Sequence, residues 1–217
     1  MGLACVLFDF HNTLVMAGSL EGWLERAASD VSETVDPAQV LPVLETVWAR
    51  AGARHPDAAW DLDPVMHRTA FEEVLGEESP CSPALARRLY ALMPEQWVAA
   101  PGAVELLAAL KERGLAVGVL SNTALDPRAR LAELGVLEHL DAVVLSFEEG
   151  FVKPDPRFFA RAAELLGVQP AECLYIGDTP GIDGAAVRAG MTCVLVPVVD
   201  GRPQLWVAAG LLGLHLH

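Results

Sequence analysis

The run ACVLFDFHNT, residues 4–13, sets the architecture predicted for the whole chain. Its first five residues are apolar, and an apolar run that does not alternate with polar residues predicts a β-strand covered on both faces. Asp9 follows this strand directly. Because open α/β sheets bind ligands at the carboxyl ends of their strands, the position of this aspartate is as informative as its type. The run therefore predicts a strand of a parallel sheet with a polar site at its end.

The second half of the chain alternates short apolar runs with amphipathic stretches. Strands are predicted at residues 115–120, 142–145, 173–176 and 192–196, and helices at residues 103–113, 127–134, 156–166 and 184–189. Proline stands near most helix starts and glycine just after the helix ends, which is the usual asymmetry of helix termini. This alternation predicts an α/β fold with a doubly wound parallel sheet. The apolar segment 201–217 is expected to form a last helix.

Roughly ninety residues separate the first two predicted strands, which is far too many for a connecting loop. Their helical pattern covers residues 20–29, 37–51, 64–75 and 83–92. Asp36, Asp63 and Ser82 each precede a proline, which predicts three helix N-caps with proline at the first helical position. We therefore predict a small α-helical domain at residues 17–96, inserted into an α/β core of residues 1–16 and 97–217.

Composition limits the classes of partner. The 217 residues include 15 Lys+Arg against 29 Asp+Glu, and the net charge is −14. This balance does not favour nucleic acid or an anionic membrane as the partner. The sequence has no visible secretory signal and no apolar run of membrane-spanning length, so a cytoplasmic location is expected. The expected oligomeric state is a monomer or a homodimer. The four cysteines lack the spacing of metal or redox motifs and are expected to be reduced core residues.

Polar side chains follow the predicted strands at the edge where ligands bind. They are Asp9, His11 and Thr13 after the first strand, Ser121 and Asn122 after the second, Lys153 after the third, and Asp178 and Asp183 after the fourth. Carboxylates that converge at one edge repel each other unless a cation holds them. Mg²⁺ prefers hard oxygen ligands, which Asp9 and Asp178 supply. The pattern predicts a Mg²⁺ site with Lys153 as a second source of positive charge.

These residues together resemble the four motifs of the haloacid dehalogenase (HAD) superfamily. The matching set is Asp9-x-x-x-Thr13, Ser121-Asn122, Lys153 and Gly177-Asp178-x-x-x-x-Asp183, in the family's order. The resemblance spans nearly the whole chain outside the insert. It implies a Rossmann-like core, with the insert as a helical cap that closes over the site. It also implies a Mg²⁺-dependent phosphatase in which the nucleophile Asp9 forms an aspartyl-phosphate intermediate.

The resemblance assigns a role to each motif residue. Thr13, Ser121 and the backbone near Asn122 would hold the phosphoryl oxygens, and Lys153 would offset the negative charge. The metal would lie between Asp9, the backbone carbonyl of His11 and Asp178. Asp183 would position Lys153 or a metal-bound water. A capped site of this kind implies a small-molecule phosphate ester as substrate.

The sequence departs from the family at His11, where HAD phosphatases usually carry a second aspartate that acts as general acid and base. Three interpretations stay open. The imidazole takes over the proton transfer. Alternatively, the leaving group needs no proton, as with an acyl phosphate or with the halide released by true dehalogenases, which also lack that aspartate. Or the chain is a binding protein without catalysis. The intact Gly177-Asp178 pair favours the phosphatase over the dehalogenase.

The insert carries a basic and aromatic cluster in an otherwise acidic chain. Its members are Arg54, His55, Trp60, His67 and Arg68. As cap residues they are candidates for substrate contacts, with Arg54 and Arg68 predicted to bind the phosphate-bearing substrate. The alternative is that Trp60 packs within the bundle and the others lie on its surface. Trp23, Trp48 and Trp97 are predicted to serve packing.

Overall fold

The computed structural model describes residues 2–215. The chain divides into two compact units. One unit holds the chain up to Met16 and from Val98 onward, and the other spans Ala17–Trp97. Within the described residues, no helix is long and apolar enough to cross a bilayer.

The first unit contains the sheet and the second unit is helical. The strands are β1 Cys5–Asp9, β2 Val15–Ala17, β3 Trp97–Ala99, β4 Ala116–Ser121, β5 Ala142–Leu145, β6 Cys173–Gly177, β7 Thr192–Leu195, β8 Val198–Val199 and β9 Arg202–Pro203. The α-helices are α1 Leu20–Asp30, α2 Pro37–Glu45, α3 Val47–Arg54, α4 Pro64–Glu78, α5 Pro83–Leu92, α6 Ala103–Glu112, α7 Arg128–Glu133, α8 Ser146–Glu149, α9 Pro156–Leu165 and α10 Trp206–Leu211. Short 3₁₀ helices cover Trp60–Leu62, Met93–Gln96, Leu137–His139, Pro170–Glu172 and Asp183–Ala189.

Five parallel strands form the central sheet, in the order β5-β4-β1-β6-β7. All five residues of β1 are buried, as its continuous apolar sequence predicts. The chain continues from β1 to β4 on one side and later to β6 on the other, so the strand order reverses at β1. Such a reversal opens a crevice at the carboxyl ends of the strands. The predicted doubly wound parallel sheet is confirmed.

Some details of the α/β unit differ from the prediction. Asp9 and Ser121 are the last residues of β1 and β4 rather than the first residues after them. The helix predicted at 184–189 is present but is of the 3₁₀ type and begins one residue earlier, at Asp183. The single turn α8 was not predicted, since four residues are too few to show a helical period.

Of the described residues in the C-terminal segment 201–217, which end at 215, only α10 is helical. Its first residues belong instead to the β8–β9 hairpin, whose turn residues Asp200 and Gly201 have positive φ angles of 50° and 71°. An Asp-Gly pair is a strong hairpin signal, and this signal was available in the sequence. Residues 216 and 217 of the predicted helix lie outside the described residues.

In the helical unit, the three predicted N-caps are confirmed. Asp36 accepts from Ala38 N–H, Asp63 from Val65 and Met66 N–H, and Ser82 from Leu85 N–H. The predicted helix at 37–51 is wrong, because two helices meet at Thr46. The Thr46 hydroxyl donates to Pro42 O at 2.6 Å, and its backbone N–H bonds to Val43 O, one residue closer than an α-helical partner.

An aromatic cluster forms the core of the helical unit. Trp23 is buried and its indole N–H donates to Leu89 O at 3.0 Å. Trp48 stacks on His67 with ring centroids 4.1 Å apart and also contacts Trp60 and Phe71. The predicted packing roles of Trp23 and Trp48 are confirmed, and Trp97 is buried as well.

Candidate active site

The predicted site residues of the core meet at the carboxyl edge of the sheet. Asp9 ends β1 and Ser121 ends β4, while Asp178 follows β6 directly. Since β1 lies between β4 and β6, the three residues leave the sheet side by side. Thr13 is fully buried, and its hydroxyl lies 3.4 Å from Asp9 Oδ2. Asn12 adopts a φ of 55°, a left-handed conformation that asparagine tolerates more readily than most residues.

Lys153 lies at the centre of this group and is only 4% exposed. Its ammonium group donates to Asp9 Oδ1, and to Asp183 Oδ1 at 2.9 Å. Burial disfavours the ammonium form, but the two carboxylates outweigh it, so the pKa of Lys153 lies above its usual value. The lysine is therefore a fixed positive charge against Asp9.

Burial raises the pKa of Asp9 to about 6, and the Asp183 charge adds to this effect. Lys153 opposes the shift by stabilising the carboxylate. A bound cation would act in the same direction as Lys153. The aspartate is thus placed in a low-dielectric pocket in which positive partners keep it ionised near neutral pH.

Asn122 holds the backbone of Lys153. Its side-chain oxygen accepts from Lys153 N–H at 2.7 Å, and its side-chain nitrogen donates to Lys153 O at 2.9 Å. Both polar atoms of the Asn122 amide are therefore engaged. The Asn122 side chain thus holds the Lys153 backbone in place, and phosphate binding by the backbone near Asn122 remains a prediction.

Asp183 connects Lys153 to the loop that carries Asp178. Its Oδ2 accepts from the backbone N–H groups of Asp178 and Thr179 at 3.1 and 3.0 Å. Its Oδ1 accepts from Lys153, and the residue is 1% exposed. A Cβ atom on Gly177 would lie 2.4 Å from Asp183 Cγ, so this close approach requires glycine.

The carboxylates of Asp9, Asp178 and Asp183 can converge on a metal ion, with one oxygen of each within 4.8 Å of the others. Burial raises the pKa of Asp178 and the Asp183 charge raises it further, which is the repulsion that a cation relieves. Both oxygens of Asp183 already accept hydrogen bonds. This donor set fits Mg²⁺: Asp9 and Asp178 would be the direct ligands, and Asp183 would orient them.

His11 stands two residues after Asp9 and is exposed. Its ring meets that of Phe10 edge-on, with centroids 4.9 Å apart. The dense protein around the imidazole and the Lys153 charge lower the pKa of His11 below its usual value. A neutral imidazole can accept a proton at neutral pH but is a poor donor, so this residue is better suited to act as a base than as an acid.

The predicted substrate-binding arginines belong to the helical unit, where carboxylates compensate their charges. Arg54 pairs with Glu77 at 2.9 Å and Glu78 at 2.8 Å, and Arg68 lies 3.7 Å from Glu72. His55 pairs with Glu73, while Trp60 and His67 belong to the aromatic cluster. Substrate binding by Arg54 and Arg68 remains a prediction.

One buried polar residue of the site was not predicted. Tyr175 lies on β6, and its hydroxyl is 2.9 Å from Lys153 Nζ and 2.9 Å from Asp183 Oδ1. A signal was available, because a tyrosine in a fully buried strand must find a partner for its hydroxyl, and this one stands two residues before Gly177-Asp178.

The model of a hydrolase family, the haloacid dehalogenase-like hydrolases, matches residues 3–190. Phosphoserine phosphatase of Thermus thermophilus is 36% identical over 70% of this chain and 63% of its own length. The putative phosphatase YhcW of Bacillus subtilis is 36% identical over 52% of each chain. The chain thus spans between about half and 63% of the length of these curated relatives.

Solved structures share the fold at lower identity. A HAD phosphatase from Thermococcus onnurineus is 20% identical, with a TM-score of 0.65 over 99% of this chain and all of that one. The magnesium-bound putative HAD-hydrolase YfnB of Bacillus subtilis is 18% identical, with a TM-score of 0.69 over 99% of this chain and all of that one. At these identities the likeness concerns the architecture.

Proposed function

Because the chain belongs to the haloacid dehalogenase-like hydrolases, we propose that it is a Mg²⁺-dependent phosphatase of a small-molecule phosphate ester, with Asp9 as its nucleophile. The observation that carries the proposal is the Asp9 carboxylate itself, buried at the end of β1, bonded to Lys153 and within reach of Asp178. The phosphatases among the relatives, of phosphoserine and of glyceraldehyde 3-phosphate, support this substrate class.

The proposed reaction has two steps. In the first, an Asp9 oxygen attacks phosphorus, and the bond between phosphorus and the ester oxygen breaks, which leaves an aspartyl phosphate and an alcohol that has gained a proton. In the second, water attacks phosphorus and passes a proton to His11 or to solvent, and the bond between phosphorus and the Asp9 oxygen breaks, which releases inorganic phosphate and regenerates the carboxylate. Lys153 offsets the negative charge on both reactants, and the Thr13 and Ser121 hydroxyls hold phosphoryl oxygens.

Mg²⁺ bound by Asp9 and Asp178 would supply positive charge that neutralises their repulsion and stabilises the charge developing on the phosphoryl oxygens. Asp183 keeps Asp178 in place through the two loop N–H groups. Lys153 fixes the orientation of the Asp9 carboxylate before the substrate arrives.

Protonation of the leaving oxygen is the step for which the site is least equipped. His11 stands where the family's acid would be, and its lowered pKa leaves it neutral. Neutral His11 suits the second step, in which water loses a proton. It also suits a substrate whose leaving group needs no proton, and this observation supports a haloacid dehalogenase as the second candidate function. The retained Asp178 carboxylate favours the phosphatase.

The test is a screen of phosphate esters and 2-haloacids, with Mg²⁺ and with EDTA, on the wild-type protein and Asp9→Asn. We expect phosphate release that requires Mg²⁺ and falls roughly 10³-fold or more in the variant. Asp200→Asn is the matched control, because it makes the same change at an exposed turn where asparagine fits equally well. Full activity of Asp9→Asn would end the proposal, and halide release that persists in EDTA would establish the dehalogenase instead.

A further inference from the structure

Tyr175 is a buried polar residue that belongs to none of the four motifs. It is fully buried on β6, and its hydroxyl bridges Lys153 Nζ and Asp183 Oδ1 at 2.9 Å each. Buried hydroxyl groups need partners, but this partner set is unusual because both members are charged residues of the site. Its position therefore calls for an explanation beyond core packing.

Counting donors and acceptors fixes the direction of each hydrogen bond. The Lys153 ammonium has three N–H groups, and three acceptors surround it: Asp9, Asp183 and the Tyr175 oxygen. Since a lysine ammonium only donates, the Tyr175 oxygen accepts from it. The tyrosine proton then points to Asp183 Oδ1, which is an acceptor only. Burial and the nearby Asp9 and Asp183 charges raise the pKa of Tyr175 well above its usual value, which keeps this proton in place.

The network leaves Lys153 no freedom to rotate. Each of its three N–H groups has one partner, and those partners lie on different elements. Asp9 lies on β1 and Tyr175 on β6, while Asp183 lies in the 3₁₀ helix after β6. Removing the Tyr175 hydroxyl would free one N–H group and take one donor from Asp183. The ammonium would then gain alternative orientations in which it leans away from Asp9.

We propose that Tyr175 is a positioning residue, whose hydroxyl fixes the direction in which Lys153 presents its charge to Asp9 and thereby sets the rate of attack at phosphorus. The kinetic part of this inference rests on the proposed phosphatase function. Tyr175 acts through Lys153 and does not touch the substrate.

The alternative is that Tyr175 serves only packing. Its ring meets Phe159 edge-on, with centroids 5.0 Å apart. Tyr175→Phe separates the two roles, because it keeps the ring and removes only the hydroxyl. The sequence has two tyrosines, and the other one, Tyr90, is a matched control. Its hydroxyl is also buried and bonds to His67 Nδ1 at 2.8 Å in the helical unit.

The first measurement is hydrolysis of p-nitrophenyl phosphate with Mg²⁺. A hydrogen bond to a charged group typically contributes enough that its loss lowers kcat roughly 10- to 100-fold. We expect this loss in Tyr175→Phe with KM within about twofold of wild type, and wild-type kinetics in Tyr90→Phe. Wild-type kcat in Tyr175→Phe would overturn the proposal, as would a parallel loss in both variants.

The second measurement needs no activity. The chain has two lysines, Lys111 and Lys153, so ¹⁵N labelling of lysine gives two side-chain ammonium environments in NMR spectra. We expect the buried Lys153 signal to be protected from solvent exchange in the wild-type protein, and to shift and lose protection in Tyr175→Phe while Lys111 is unchanged. An unchanged Lys153 signal would overturn the proposal. If the wild-type protein hydrolyses no phosphate ester, the phosphatase proposal fails, and this measurement still decides the role of Tyr175.

A third measurement serves if Tyr175→Phe does not fold. The protein is labelled with 3-fluorotyrosine, and Lys153→Arg keeps the positive charge while changing its donor geometry. We expect the ¹⁹F signal of Tyr175 to shift and that of Tyr90 to stay. A Tyr175 signal that does not respond to the change at Lys153 would contradict the proposed contact.

Discussion

Asp9 and His11, two positions apart in the chain, are the residues on which the proposed chemistry of the site depends most. Asp9 has the environment of a nucleophile, since it is buried, held by a cation and kept ionised by its partners. His11 is exposed and, with its lowered pKa, neutral. For the proposed phosphatase reaction, the site is thus better equipped for attack on phosphorus than for protonation of the leaving oxygen.

Restoring the family's acid at position 11 tests this imbalance. In His11→Asp we expect faster hydrolysis of alkyl phosphates, by roughly 10-fold or more, because general acid catalysis commonly contributes at least that much. The gain with p-nitrophenyl phosphate should be smaller, since its leaving group needs little protonation. Steady-state kinetics on both esters make the comparison. His11→Asn is the control, because asparagine has the size of aspartate but cannot donate a proton as an acid. Equal rates in the two variants would contradict the explanation that a general acid is missing at position 11.

Gly177 tests the tightness of the loop around Asp183. In Gly177→Ala, the new methyl group would lie 2.4 Å from Asp183 Cγ, so the loop must shift. Overpacking of this kind costs about 1–3 kcal/mol of unfolding free energy. Urea unfolding measures the loss. In Gly181→Ala, where no heavy atom lies within 4 Å of the added group, we expect a change within about 0.5 kcal/mol. Equal stability of the two variants would show that a methyl group at position 177 does not crowd Asp183.

At the scale of elements, the helical unit follows local rules closely. Three of its helices begin at a residue that caps the backbone, followed by proline. The exception is the junction at Thr46, where one hydroxyl bond to Pro42 O divides a predicted helix into two. Local chemistry predicts helix starts well, because the capping side chain and the N–H groups that it binds are only two or three residues apart.

The N-cap of α4 gives a prediction at this scale. Asp63 accepts from two backbone N–H groups, so Asp63→Ala should lower the unfolding free energy by about 1 kcal/mol. Asp63→Ser keeps a capping oxygen and should lower the unfolding free energy much less. Urea unfolding of both variants provides the measurement. Identical stability of the alanine and serine variants would show that the cap does not stabilise the helix.

For the whole molecule, the buried His67 makes stability depend on pH. Burial lowers the pKa of His67 to about 4, against about 6.5 in the unfolded chain. Between these values the unfolded chain binds the proton and the folded protein does not. The contribution of neutral His67 is therefore complete above pH 6.5 and is lost as the pH falls toward 4. The loss amounts to at most about 3 kcal/mol.

His67→Gln isolates this effect, because glutamine does not titrate and can still bond to the Tyr90 hydroxyl. Unfolding free energies measured from pH 7 to pH 4 should fall more steeply for the wild-type protein than for the variant. Other groups titrate in both proteins, so the difference between the two curves is the informative quantity. Parallel curves would mean that folding does not shift the pKa of His67.

The sequence alone was sufficient for the parallel sheet, for the order of the site residues along it and for three helix starts. These features depend on hydrophobic pattern and on contacts between near neighbours in the chain, which a sequence displays directly. The Asp200-Gly201 turn was also visible there, although a last helix was predicted in its place.

Only the tertiary structure determined how the site is held together. Lys153 meets Asp9 across 144 positions of sequence and Tyr175 across 22, and Asn122 reaches the Lys153 backbone across 31. Such contacts depend on which strands are neighbours and on which way each side chain points from its strand. Local periodicity carries no information about either. The sequence could flag Tyr175 as a buried hydroxyl near the site, but its partners, Lys153 and Asp183, were identified only from the tertiary structure.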